Sequence, residues 1–111
     1  GTAYGEGLKK AFEHCLTMKK NGYIPSIVVI GDLENEGAIE KQINWETLPE
    51  NVKSIQKYIP EISMMFVYAH PEKLDYVKTK LNPILGEKKL IIANEQNVQK
   101  AQRRFLEAIG R

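Results

Sequence analysis

With a single cysteine, Cys15, the chain can form no internal disulfide, so covalent cross-links cannot stabilise it. Cys15 falls on the apolar face of the first helical segment, which predicts a buried thiol in a reducing, cytoplasmic setting rather than a nucleophile. Long apolar runs are missing as well. The longest, around Met64 to Ala69, is far below the roughly 20 residues of a membrane span, and the N-terminus lacks the basic-then-apolar pattern of an export signal. A membrane is therefore not an expected partner. Charge of one sign is not in excess either: the formal net charge is +2, too little to argue for nucleic acid. Arg103, Arg104 and Arg111 gather near the C-terminus on a helix with an apolar opposite face, and they read as a solvated surface. Aspartate is scarce, with Asp32 and Asp75 the two in the chain.

What is present describes an ordinary globular domain. Hydrophobic residues make up 42% and charged residues 27% of the 111 positions, enough for one core and too short a chain for two, so residues 1–111 read as one domain. From Gly5 to Lys20, Leu8, Ala11, Phe12, Cys15 and Leu16 recur at helical spacing, and Asn21-Gly22 ends the segment. Ile27 to Gly31 then reads as a strand apolar at consecutive positions, which predicts cover on both faces, as in a parallel sheet. Asp32 to Asn51 has no clear period and holds Asp32, Glu34, Glu36, Glu40 and the one tryptophan, Trp45; it reads as a long connection with a helical turn near Ala38 to Ile43.

The alternation continues to the C-terminus. Pro49 to Tyr58 predicts a helix with Val52 and Ile55 on one side and Ile59 following them, stopped by Pro60. Ile62 to Ala69 predicts a second strand, Pro71 to Leu81 a helix closed by Asn82-Pro83, and Leu90 to Ala93 a third strand. Asn94 reads as the N-cap of a last helix carrying Val98, Ala101, Phe105, Ala108 and Ile109 on one face. The expected fold is thus α/β: a three-layer, Rossmann-like parallel sheet of about three strands flanked by about four helices, with right-handed connections.

In such a sheet ligands gather beyond the carboxyl ends of the strands, here Gly31-Asp32, Ala69-His70 and Ala93-Asn94. The first helix runs antiparallel to the strand after it, so its N-terminus, with Thr2, Gly5 and Glu6, is expected at the edge where Asp32 emerges. A hydroxyl and a carboxylate brought together at a rim are ligands suited to Mg²⁺, which keeps several waters and takes one or two carboxylates. The structural alternative is that Asp32 is a turn or cap residue, the commoner role for an aspartate after a strand. Asp32 to Gly37 also imitates the start of a calcium loop, but Ile43 stands where that loop needs a bidentate glutamate. His70 lacks a visible nucleophile and reads as structural or solvated, and His14 as exposed. Met64 and Met65 read as core. Trp45 either anchors a partner or caps the core beneath its loop.

Gly1-Thr2-Ala3-Tyr4-Gly5-Glu6-Gly7-Leu8, an amphipathic helix, and then IVVIGDLENEG together resemble the second half of a von Willebrand factor type A domain. ISMMFVYAHPE is similar to that family's fifth strand, and KLIIANEQNVQKAQRRFLEAIG to its sixth strand and final helix, so the likeness spans nearly the whole chain. The resemblance implies a metal-ion-dependent adhesion site with Thr2 and Asp32 as ligands of Mg²⁺ or Mn²⁺. It also implies a departure. The family's Asp-x-Ser-x-Ser cluster is missing, so the metal is expected to bind weakly or not at all, and Leu33 stands where many members have glycine. Without the first half, the strand at Ile27 would be an open edge, to be paired by the missing half of the domain or by a second copy. The expected function is a protein-interaction module, not an enzyme, whose metal is completed by a carboxylate of the partner. Two alternatives are a Mg²⁺-dependent phosphate-handling enzyme using Asp32, Glu34 and Glu36, and a structural or dimerisation element without its own site.

Overall fold

The computed structural model describes residues 3–34 and 37–110. Among these residues the order is α1 (Tyr4–Lys20), β1 (Ser26–Ile30), a 3-10 turn (Ile39–Lys41), α2 (Leu48–Tyr58), β2 (Ser63–Val67), α3 (Pro71–Leu85), β3 (Leu90–Ala93) and α4 (Val98–Ile109). Thr2, Glu36 and Arg111 lie outside the described residues. The three strands form one parallel sheet in the order β1-β2-β3. Its register sets Ile27 beside Met64 and Val29 beside Phe66, and Met64 beside Leu90. This is the α/β, Rossmann-like arrangement that the alternation of periods predicts.

Two apolar layers hold the sheet. On one face Ile27, Val29, Met64, Phe66 and Leu90 join Leu8 and Cys15 of α1, Val52 and Ile55 of α2, and Val77 and Leu81 of α3. On the other face Met65, Val67, Ile91 and Ala93 pack against Ala101 and Phe105 of α4. All five residues of β2 are buried, as a strand covered on both faces requires.

Three expectations need correction. β1 is covered on one face only: Ile27 and Val29 are buried, whereas Val28 is 44% and Ile30 67% exposed. The cause is that α4 packs over β2 and β3, and no residue of β1 belongs to the buried layer beneath it. Second, α3 does not close at Asn82-Pro83 but runs on to Leu85. Pro83 removes one helix hydrogen bond, a cost of about 3 kcal/mol in a helix interior. One further turn, however, buries Leu85 and half-buries Ile84, and a buried leucine contributes about 1.5–3 kcal/mol. Asn82 and Pro83 themselves face solvent, so the carbonyl that loses its donor can be hydrated. Third, Asn94 is not the N-cap of α4. Its Oδ1 accepts from the N–H groups of Gln96 and Asn97 and shapes a turn, and the helix starts only after Asn97.

Opposite responses are expected at neighbouring positions of α3. Leu81→Ala, at a fully buried site, should lower stability by about 2–5 kcal/mol. Pro83→Ala should raise it by about 1 kcal/mol by restoring the missing bond. Urea unfolding followed by circular dichroism measures both; destabilisation by Pro83→Ala would mean that the proline stabilises the native turn through the unfolded chain.

Candidate functional site at the carboxyl ends of the strands

The rim beyond β1 and β2 is built from the backbone outward. Gly31 continues the ladder by donating its N–H to the Val67 carbonyl at 2.9 Å. The chain then turns, and Leu33 adopts a left-handed conformation (φ 67°) that a leucine ordinarily avoids. Its side chain is fully buried in the core below the rim. The left-handed backbone costs about 1–2 kcal/mol, and burying the leucine returns about 1.5–3 kcal/mol. Leucine in place of glycine therefore does not prevent the turn; it anchors it, and with it the position of Asp32.

Asp32 is exposed at the top of this turn. Its Oδ1 accepts from the Glu34 N–H at 2.9 Å, an Asx-type turn, and from the Tyr4 hydroxyl at 3.2 Å. Its backbone carbonyl accepts from the His70 N–H at 2.9 Å, which ties the end of β1 to the loop after β2. Tyr4 opens α1, so the first turn of that helix does come out at the edge where Asp32 emerges. Thr2 lies outside the described residues, two positions before Tyr4. Two glycines permit these approaches. A Cβ on Gly31, at φ 140°, would run into the Tyr4 hydroxyl, and one on Gly5 would run into the Gln42 carbonyl. The glycines of the motif thus let α1 lean against both the rim and the 3-10 turn.

The other candidates settle into structural roles. His70 caps α3, its Nδ1 accepting from the Glu72 N–H at 3.3 Å. His14 is exposed. Trp45 packs on the core and stacks on Tyr76 with ring centroids 5.4 Å apart, the core-capping alternative. Arg103 is solvated, and Arg104 donates to the Glu87 carbonyl. Glu6 pairs with Lys10 and Lys41 rather than with the rim. Among the described residues no three His, Cys, Asp or Glu side chains stand together as a metal-binding group. A groove between α1 and α2 is lined mainly by Leu8, Phe12, Leu16, Leu48 and Ile55.

β1 has the open edge expected of it and, in addition, a bare face. β1 stands at the end of the sheet. In a parallel ladder alternate residues turn both backbone groups to the same side. Since Gly31 points at β2, so do Val29 and Ile27, and the N–H and C=O groups of Val28 and Ile30 face outward, where no strand lies among the described residues. The same two residues expose their side chains on the α4 face. Continuous apolarity in β1 looks the same whether a strand is covered or not, so only the reach of α4 distinguishes the two. No protein-family model, no curated protein and no solved structure matches this chain. Among the described residues no helix is long and apolar enough to cross a membrane.

Gly31→Ala should lose stability by about 1–3 kcal/mol from backbone strain, with the steric conflict in addition. Tyr4→Phe alone should cost about 1 kcal/mol or less, yet it should soften the effect of Gly31→Ala; strictly additive losses in a double-mutant cycle would contradict the close approach. Burial also raises the pKa of the Cys15 thiol. The folded state then holds this proton more tightly than the unfolded state, so stability is complete below the ordinary thiol range and declines as pH rises through it. Cys15→Ala should flatten that alkaline slope in urea midpoints measured against pH.

Proposed function

We propose that this chain is a protein-interaction module of von Willebrand factor type A character, acting in the cytoplasm, that binds another polypeptide along the open edge of β1 and the adjoining Asp32 rim. The observation that carries the proposal is β1 itself. Its five residues bear no charge and no proline, its outward backbone groups face no strand, and Val28 and Ile30 expose apolar side chains beside them. Natural edge strands are usually blunted by lysine, proline, a bulge or a covering loop. A strand with neither lysine nor proline within it is suited to pairing. Main-chain hydrogen bonds would supply affinity, and the exposed valine and isoleucine would select apolar partners. The lone buried cysteine accords with a reducing compartment.

The metal part of the proposal is secondary. Of the expected ligand set, Thr2 and Asp32, the rim shows the Asp32 carboxylate, whose Oδ1 already serves a turn and a tyrosine hydroxyl, while Thr2 lies outside the described residues. Such a set suits Mg²⁺ or Mn²⁺ held largely through water, with a carboxylate of the partner completing the shell. The chemistry is attraction, not bond making, and no group here calls for a role as nucleophile or general base.

Amide exchange tests the edge. In the isolated chain at low concentration the Val28 and Ile30 amides should exchange fast while Val29 exchanges slowly, and an apolar strand peptide should protect the first two. Slow exchange at Val28 and Ile30 in a monomer without peptide would mean that the edge is closed and would end the proposal. For the metal, Mg²⁺ titration followed by NMR should move Asp32 and its neighbours only in the millimolar range, and Asp32→Ala should remove the response; micromolar binding would contradict an incomplete ligand set.

A further inference from the structure

The opposite edge of the sheet, formed by β3, is built differently. Met64 donates its N–H to the Lys89 carbonyl and Tyr68 donates to the Ala93 carbonyl, so Lys89, Ile91 and Ala93 turn their backbone groups toward β2. The N–H and C=O groups of Leu90 and Ile92 therefore point away from the sheet. Two of these four groups are occupied: the Leu90 N–H donates to the Gly86 carbonyl at 2.9 Å, and the Ile92 carbonyl accepts from Asn97 Nδ2 at 3.2 Å. The Leu90 carbonyl and the Ile92 N–H have no partner among the described residues. Both residues line a cleft of about 530 Å³ between α3 and α4, with Lys78 on one wall and Arg104 on the other. Among the described residues neither cation pairs with a carboxylate.

We infer that this cleft holds the C-terminal residue of another polypeptide, bound through its free α-carboxylate. The pattern of open groups selects the ligand. Antiparallel pairing exchanges both groups of one residue, and neither Leu90 nor Ile92 has both free. Parallel pairing uses the carbonyl of one residue and the N–H two positions on, which is the pair left open. One ligand residue satisfies it: its N–H donates to the Leu90 carbonyl, and its carboxyl oxygen accepts from the Ile92 N–H. The ladder cannot run further either way, because the Leu90 N–H and the Ile92 carbonyl are taken, so the site suits the end of a chain rather than its middle. Charge agrees with this direction. Lys78 and Arg104 attract the terminal carboxylate, whereas Glu87 precedes β3 and lies where the ligand chain arrives, not where it ends. A free amino acid offers the same two groups but fills less of a cleft whose volume suits a larger ligand. The cleft lies at the other edge of the sheet from the surface under Proposed function and stands or falls independently of it.

NMR titrations of the full chain with acetyl-trialanine, with the same peptide as its C-terminal amide, and with free alanine separate the outcomes. Acetyl-trialanine should shift the Ile92 amide signal and slow its exchange, and the C-terminal amide should bind at least about tenfold more weakly. Lys78→Glu, at an exposed position of α3 that does not threaten folding, should weaken the free acid at least about fivefold and leave the amide form unchanged. Equal binding of acid and amide would overturn the inference, as would shifts confined to Lys78 and Arg104 with the Ile92 amide unmoved. Free alanine binding as tightly as the peptide would overturn it too, putting a free amino acid in place of a chain end. So would the absence of any response at Ile92 to all of these probes.

Discussion

A central strand of a parallel sheet has a neighbour on each edge and cover on each face, and the architecture of the described residues is organised around β2, the one strand that has all four. β2 lies between β1 and β3, and every residue in it is buried. The layer of α1, α2 and α3 closes one side and α4 the other. Met64 and Phe66 point into the first layer, Met65 and Val67 into the second. A shift of one residue in β2 would exchange these sets and mismatch both layers, so its register is fixed by packing on two sides at once.

The rim at the carboxyl ends of β1 and β2 depends on the same core. Leu33 is held in an unfavourable backbone conformation because its side chain is worth more inside the first layer than outside it. With Leu33 fixed below, Asp32 is fixed above, where it closes a turn, meets α1 through Tyr4 and meets the loop after β2 through His70. The aspartate therefore has structural work to do whether or not a cation ever joins it. The two roles are compatible, since a carboxylate has more acceptor sites than one turn and one hydroxyl require.

The economy of the fold ends at β1. Three helices crowd one face of the sheet, whereas a single helix serves the other and reaches two strands of the three. The bare strip beside α4 and the unpaired edge adjoin, and their chemistry is continuous: branched aliphatic side chains above, free backbone groups beside. Surfaces of this kind are seldom left to water in native proteins. The proposed interaction role rests on these two surfaces.

Much of this was legible in order along the chain. Helical spacing from Leu8 to Leu16 and from Val52 to Ile55, alternating with short apolar runs, settled the sequence of elements and the parallel sheet, because period and run length are local properties. The arrival of α1 beside Asp32 followed from chain direction alone. What the local signals misjudged were the places where a distant contact outweighs a local preference: Pro83 inside a helix whose next turn buries Leu85, and Asn94 in a turn of its own rather than at a helix start. Only the tertiary structure decided that Val28 and Ile30 are bare, since an apolar residue carries no mark of whether a helix lies above it. That depends on how far α4 extends across the sheet, a distance set by packing between layers and written at no single position.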